Sequence, residues 1–451
     1  MRTTKKSVFA WLVLGTSVIV LSSLSNRGSV AHAQSSYPGD NAVWSSTSAQ
    51  TYAHSFIDAS VVPGSGSHSD VCARINAALN NLANTTTYSW YGTAAVIDAR
   101  GVPVGTSNAC SMSPWGGTVP TDGWPPATIL LPAGTIAITN QWNLPSGTRV
   151  IGEGAGEPGT STTTIQAETG FGGSAEMMQM GSTTTGWCPS SGCAGISVEN
   201  LTLDGNGIAT TGIVNSEAQN YSYVRRVNLY QISGSALKIY GSAQNSGPYS
   251  EIACTPGSSA GSSTHCAQIL NVATHGIHGM TCTGPSTPTT TAAITLDAPN
   301  NSLEDIRVQG FEEGVAIGSN SSATSPAQSN VLVNITGGTG VTNVIDISST
   351  KPPSDLTIMG ANKNGSTTTI LDNLTVSTIT DPSVALYVLG EKFTSGSHTV
   401  YSRFTTSKSQ PTWGVGTTVP SSCINGSIFS STNGSGSHYL YVCRSGTFTG
   451  L

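Results

Sequence analysis

Six side chains have the chemistry of proton transfer and recur at matching places in a repeated pattern: Asp204, Arg226, Tyr230, His275, Asp305 and Arg307. The pattern is a short apolar strand. It reads Val198-Glu199-Asn200-Leu201-Thr202-Leu203, Val224-Arg225-Arg226-Val227-Asn228-Leu229, Ile269-Leu270-Asn271-Val272-Ala273-Thr274, Leu303-Glu304-Asp305-Ile306-Arg307-Val308 and Val331-Leu332-Val333-Asn334-Ile335-Thr336, with starts 26, 45, 34 and 28 residues apart. Stacked as rungs, Leu201, Val227, Val272 and Ile306 form one inward column, and Leu203, Leu229, Thr274 and Val308 the next. Side chains alternate along a strand, so Asn200, Arg226, Asn271 and Asp305 face outward together. Thr202, Asn228, Ala273 and Arg307 follow, and Asp204, Tyr230, His275 and Gln309 stand at the turn beyond.

Such a face has two possible chemistries. Removing a proton beside a carboxylate needs a base such as His, Tyr or Arg, next to a cation that stabilises the anion. Hydrolysis of a glycosidic bond needs two suitably spaced carboxylates. In this register Asp204 and Asp305 are three rungs apart, about 14 Å at ~4.8 Å per rung, too far for that pair. Glu304, Glu312 and Glu313 are the other carboxylates nearby.

Each residue also has a plainer role open to it. Asp204 begins Asp204-Gly205-Asn206-Gly207, a turn sequence. Asn200 and Asn271 suit stacked amides, and Arg225 and Arg226 suit ion pairs with Glu199 or Glu304. His275 and His278 flank glycines in a loop sequence, and Glu312-Glu313 suits a solvated turn.

The elements that would position these residues are strands. Residues 127–154 alternate in apolar character between Gly/Pro turns: Ile129–Leu131, then Pro132-Ala133-Gly134, then Ile136 and Ile138, then Leu144, Pro145-Ser146-Gly147, Val150 and Ile151. Short strands every 8–12 residues indicate an all-β fold. Upstream, residues 69–82 read as one helix with Ser69 or Asp70 as its cap and a stripe of Val71, Ile75, Leu79 and Leu82. A helix, then Leu-Pro-Ala-Gly-Thr-Ile at 131–136, then Leu-Pro-Ser-Gly-Thr-Arg-Val-Ile-Gly-Glu-Gly at 144–154, resembles the start of the pectate-lyase-like right-handed parallel β-helix superfamily. The match is to the branch that includes rhamnogalacturonase-like and epimerase-like proteins, and it spans residues 70–155.

The resemblance implies an all-β, single-stranded right-handed parallel β-helix with an N-terminal capping helix. It brings no family's catalytic set with it. The polygalacturonase motifs are absent, and so are the clustered aspartates with which calcium-dependent pectate lyases hold their metal. This fold carries lyases, hydrolases, epimerases and non-catalytic binders.

Composition narrows the class. The charged fraction is 9%, against ~25% in an average soluble domain. The chain opens with Arg2, Lys5 and Lys6, an apolar run from Val8 to Leu24, and Ala31-His32-Ala33, the pattern of a secretory signal peptide over 1–33. That segment holds four cations, with Arg27, and no acid. Its removal takes the formal charge from −6 to −10. No later stretch reaches the ~20 apolar residues of a spanning helix, and no basic patch invites nucleic acid. An acidic protein would need a local basic cleft or bridging cations such as calcium to hold a polyanion.

The nine cysteines fit an exported, oxidised protein. Sequence-near pairs are Cys188/Cys193, Cys254/Cys266 and Cys423/Cys443, while Cys72/Cys110 could tie the helix to the first insertion; Cys282 is left over. The expected order is a lead-in at 34–68, the β-helix at 69–400 with that insertion at 83–126, a linker at 401–418 and a small disulfide-bonded β module at 419–451. Two Gly/Ser/Thr/Pro-rich stretches, 241–266 and 276–300, read as inserted loops framing a cleft. Two functions are consistent with this organisation. One is a secreted enzyme, a lyase or glycoside hydrolase acting on a pectin-like polysaccharide. The other is a non-catalytic extracellular glycan-binding or surface-structural protein. A viral tailspike-like depolymerase shares the scaffold, and the export signal argues against it.

Overall fold

The computed structural model describes residues 56–62 and 70–83, most of 95–363, strands at 368–372, 386–389 and 413–416, and most of 418–450. The chain divides into two units, Met1–Ala53 and His54–Leu451. All described residues belong to the second, so the expected signal peptide lies outside them.

The second unit winds as a right-handed parallel β-helix of about eight coils. Its long sheet contains, in order, Phe56–Asp58, Ala95–Asp98, Ala127–Leu130, Arg149–Ile151, Ser197–Asp204, Tyr223–Ile232, Tyr249–Pro256, Ile277–Thr283, Ser302–Gln309, Val331–Gly337, Leu356–Lys363 and Leu386–Leu389. The facing sheet has shorter strands: Trp142–Leu144, Glu176–Met180, Thr211–Asn215, Ser235–Ile239, His265–Leu270, Thr289–Asp297, Phe311–Ile317, Asn343–Ile347 and Thr368–Asp372. The core lies between them in columns. Val198, Val224, Tyr249, Ile277, Leu303 and Leu332 form one; Leu201, Val227, Ile252, Met280, Ile306 and Ile335 form the next; all are buried. Each buried Val, Leu or Ile contributes roughly 1.5–3 kcal/mol by leaving water.

Each long-sheet rung turns a corner at one residue. Asn200, Arg226, Glu251, Gly279, Asp305, Asn334 and Gly360 share a column, and all have left-handed backbone, with φ from 54° to 75°. That residue resets the alternation by one, so Val198 and Leu201, three apart, both point inward. The bend lets one continuous strand wrap two sides of the core.

Two expectations about the rungs are corrected by the topology. Ile269–Thr274 is no long-sheet rung: His265–Leu270 belongs to the short sheet, and 271–276 is the corner after it. The stretches 241–266 and 276–300 are no framing loops, because they carry Tyr249–Pro256, His265–Leu270, Ile277–Thr283 and Thr289–Asp297, a strand for each sheet in two coils. Both sheets alternate with period two, so apolar alternation alone does not say which sheet a strand joins. With the missing rung restored, Val198, Val224, Tyr249, Ile277, Leu303 and Leu332 repeat every 25–29 residues.

The helix spans Val71–Ala83. Its cap is Asp70, whose Oδ1 accepts the Ala73 N–H at 2.9 Å. Val71, Ile75, Leu79 and Leu82 are its buried stripe. Cys72–Cys110 ties it to the first coils, and Asn76 Nδ2 donates to the carbonyls of Pro114 and Gly116 at 2.9 and 3.0 Å. The long sheet starts earlier than expected, since Phe56–Asp58 and Ala95–Asp98 pair in parallel with each other, and Ala95–Asp98 pairs in turn with Ala127–Leu130.

The other disulfides are Cys188–Cys193, Cys254–Cys266 and Cys423–Cys443. Cys282 is free and buried one rung from Cys254, and burial pushes its thiol pKa up. At the C-terminus, Ile428–Ser431, Leu440–Arg444 and Thr447–Gly450 form a small antiparallel sheet. Trp413–Gly416, expected within the linker, joins that sheet in parallel. No helix among the described residues is long and apolar enough to cross a membrane.

Candidate functional site

The six residues singled out by pattern do not converge. Asp204 and Tyr230 are register partners on adjacent rungs, and their column continues through Thr255, Thr283 and Gln309 without His275. His275 stands exposed at a corner, its N–H bonded to the Ser246 carbonyl. Asp204 and Asp305 are four rungs apart rather than three, about 19 Å by strand spacing. Their rung neighbours explain most of what they do. Asp204 is buried, with Oδ2 accepting from Gln166 Nε2 at 2.7 Å and Oδ1 from the Asn206 N–H at 2.9 Å, as a turn former would be. Arg226 Nε meets Glu251 Oε2 at 2.6 Å, and Arg225 binds the same carboxylate through Oε1. Asp305 Oδ1 accepts from Asn334 Nδ2 at 2.6 Å, and Arg307 is exposed on the outer face. Glu199 pairs with Arg149 at 2.8 Å and not with Arg225. The stacked asparagines of the core are Asn301 and Asn330, linked by Asn301 N–H to Asn330 Oδ1 at 2.8 Å, rather than Asn200 and Asn271.

Shifted groups on the long sheet are ion-paired and held in their charged forms, whereas surface groups that burial pushes toward their neutral forms gather on the outer face of the short sheet. Its rungs share a compact template, an apolar–polar–apolar triplet: Met178-Gln179-Met180, Leu237-Lys238-Ile239, Ala267-Gln268-Ile269 and Ile345-Asp346-Ile347. The flanking residues point into the core, so register puts Gln179, Val214, Lys238, Gln268, Thr295, Ala316 and Asp346 in one outward column. A second row holds Glu176, Thr211, Ser235 and His265. Gln141 Nε2 donates to Glu176 Oε2 at 3.1 Å and to Gln179 Oε1 at 3.0 Å, linking the two rows.

The electrostatics centre on Glu176, Lys238 and Tyr240. Burial raises the Glu176 carboxyl above its ordinary range, with Lys238 and the Gln141 hydrogen bond acting against it. Lys238 Nζ lies 5.0 Å from the Tyr240 ring centroid, a cation–π contact. Burial, Glu176 and Glu217 together raise the Tyr240 phenol. His265 is lowered by burial, its Nδ1 2.7 Å from the Ala292 carbonyl. Further along the face, burial and the neighbouring Asp346 push Glu313 up to about 7. Perturbed acids, a cation and a phenol on one face mark a functional-site candidate. The sequence signal that would have found Lys238 and Asp346 is the triplet, whose middle residue is polar.

A separate cleft of about 310 Å³ lies near the first coils, lined by Arg100, Leu130, Leu131, Ile151, Gly152 and Glu153. Its arginine is committed, bound through Nε and Nη2 to Asp98 at 2.9 and 2.8 Å. Among the described residues one trio of metal-type donors lies within 4.8 Å, Asp70 with Cys72 and Cys110. Both of those sulfurs are in a disulfide and Asp70 caps the helix, so this trio does not suit a cation.

No family model and no curated protein matches the chain. Solved structures do. The N-terminal fragment of gene product 12 from bacteriophage Phi29 is 14% identical, over 58% of this chain and 55% of that one, with a TM-score of 0.27. The AlgE6 A-module, a mannuronan C-5 epimerase from Azotobacter vinelandii, is 13% identical over 59% and 91%, TM-score 0.26. PfbA, a surface adhesin of Streptococcus pneumoniae, is 10% identical over 72% and 90%, TM-score 0.24. The chain spans little more than half of the phage fragment. Likeness at this level concerns the fold and says nothing of activity.

Proposed function

We propose that this is an exported, carbohydrate-active β-helix protein that lays an extended polysaccharide along the outer face of the short sheet, with Glu176, Lys238 and Tyr240 at its centre. The observation that carries this reading is the set of groups on that face that burial holds toward their neutral forms, with Lys238 against the Tyr240 ring among them. Lys238 supplies the positive charge that a uronate, or the anion formed from it, needs. Glu176, held toward its protonated form by burial, is placed to give a proton to a leaving oxygen. The resemblance of residues 70–155 to the pectate-lyase-like branch supports a pectin-like substrate and elimination or hydrolysis. Four disulfides and the apolar N-terminal segment support export and an extracellular location.

The test incubates the mature protein and Lys238→Ala with pectin, rhamnogalacturonan, alginate and xylan. Unsaturated product or new reducing ends should appear with wild type and fall at least tenfold in the variant. No product and no retention on any of the four would remove the reading.

A non-catalytic glycan binder is the second reading, and one geometric fact favours it. Asp204 and Asp305 stand four rungs apart, about 19 Å by strand spacing, beyond the ~10 Å that a hydrolytic pair of carboxyls can span. Retention without turnover would select it.

A further inference from the structure

Tyr221 stands where the preceding coils use glycine. The long-sheet register aligns Arg149, Ser197 and Tyr223, so Gly147, Gly195 and Tyr221 fall in one corner column two residues earlier. Backbone bonds confirm the stacking: Gly147 N–H to the Ala194 carbonyl at 2.8 Å, and Gly195 N–H to the Asn220 carbonyl at 3.0 Å. The turns at Pro145–Thr148 and Gln219–Ser222 are closed in the same way, with Thr148 N–H donating to Pro145 O and Ser222 N–H to Gln219 O. All three residues are left-handed, with φ of 75°, 66° and 61°. Glycine adopts that backbone freely, whereas a residue with a Cβ pays roughly 1–2 kcal/mol. Packing does not offset the strain, because Tyr221 is 84% exposed, the most exposed large apolar side chain described.

Its surroundings are specific. The same corner carries Trp187, half-buried, whose carbonyl accepts the Ser146 N–H at 3.0 Å. The loop after it is closed by Cys188–Cys193, and its ring lies 6.3 Å from the ring of Trp124. Two residues along the strand from Tyr221, the Tyr223 hydroxyl donates to Glu199 Oε1 at 2.9 Å, which also receives Arg149 Nη2 at 2.8 Å. Two residues on from Tyr221 the chain thus carries a fixed set of hydrogen-bonding groups with little net charge. A pyranose offers the complement, an apolar face of C–H bonds ringed by hydroxyls, and amphipathic aromatics bind such surfaces at low entropy cost.

We propose, on the premise that the protein binds a polysaccharide, that this corner is a pyranose-stacking subsite with Tyr221 as its platform. It extends the binding track from the outer face of the short sheet around the adjoining corner.

The experiment is affinity electrophoresis of the mature protein in gels containing pectin, rhamnogalacturonan, alginate or xylan, with melting curves and light scattering on the same samples. Tyr221→Gly should melt at or above the wild-type temperature, since the strain is gone, yet lose retardation about fivefold or more. Tyr221→Phe should keep most of it. If Tyr221→Gly is retarded like wild type while Lys238→Ala is not, the subsite is wrong and the glycan reading stands. If wild type is retarded by none of the four, both fall. A melting temperature lowered by Tyr221→Gly would assign the ring a folding role and overturn the subsite. So would a dimer that only Tyr221→Gly dissociates, with retardation unchanged.

Discussion

Glu313 and Asp346, on neighbouring coils of the short sheet, hold their carboxyl groups in hydrogen-bond contact, and Glu313 is driven to about 7 by burial, by that bond and by the charges of Asp346 and Glu312. A carboxylate beside another acid and out of water is costly to ionise, which is why Glu313 is held toward its protonated form.

Glu313 sets a pH dependence with a definite sign. The folded pKa of Glu313 lies above its ordinary 4.5, so the fold favours the protonated form. That contribution to stability is complete below pH 4.5 and is lost as pH rises through about 7. Melting temperatures from pH 4.5 to 8 should therefore slope downward more steeply in wild type than in Glu313→Gln. Identical slopes would show that Glu313 does not carry this pH dependence.

The corner column makes Arg226 a backbone position as much as a side chain. Arg226→Gly removes left-handed strain together with an exposed, solvent-screened ion pair, so stability should hold or rise. Arg226→Val forces a β-branched residue into the same backbone and should cost about 1–2 kcal/mol. Urea unfolding separates them. If Arg226 is catalytic, Arg226→Gly loses turnover without losing stability.

Tyr249 fills an aliphatic column with a phenol, and its hydroxyl meets Asn215 Nδ2 and Ser246 Oγ, both at 2.7 Å, inside the core. Burial pushes that phenol up to about 12. Tyr249→Phe keeps the ring and leaves two buried partners short of a bond, so it should destabilise by about 1–3 kcal/mol. No loss of stability would mean that the network carries no net free energy.

The cysteines predict a thiol count. Mature protein should show no reactive thiol when folded and one in denaturant without reductant, that of Cys282. Replacing Cys72 and Cys110 by Ser together opens a bridge of sequence separation 38 and should cost about 4 kcal/mol by loop-closure entropy. Labelling with iodoacetamide, followed by mass spectrometry, checks the first, and thermal melts check the second.

Much of this molecule was legible in its residues. Alternation between Gly/Pro turns gave the coil, the cap-and-stripe pattern gave the helix at Val71–Ala83, and sequence-near cysteines gave the bridges, because each is a local consequence of backbone geometry or of short loop length. The inward columns through Leu201, Val227 and Ile306 were legible for the same reason. Which strand stacks on which was not. Period-two alternation is the same in both sheets, so His265–Leu270 passed for a long-sheet rung and brought His275 into a column it does not occupy. The left-handed corner was also hidden, since Asn, Arg, Glu, Gly and Asp all hold that place and only the register shows them to be equivalent. Coil-to-coil register depends on contacts some 25–30 residues apart along the chain, and it alone decided that Asp204 lines up with Tyr230 and that Tyr221 stands in line with two glycines.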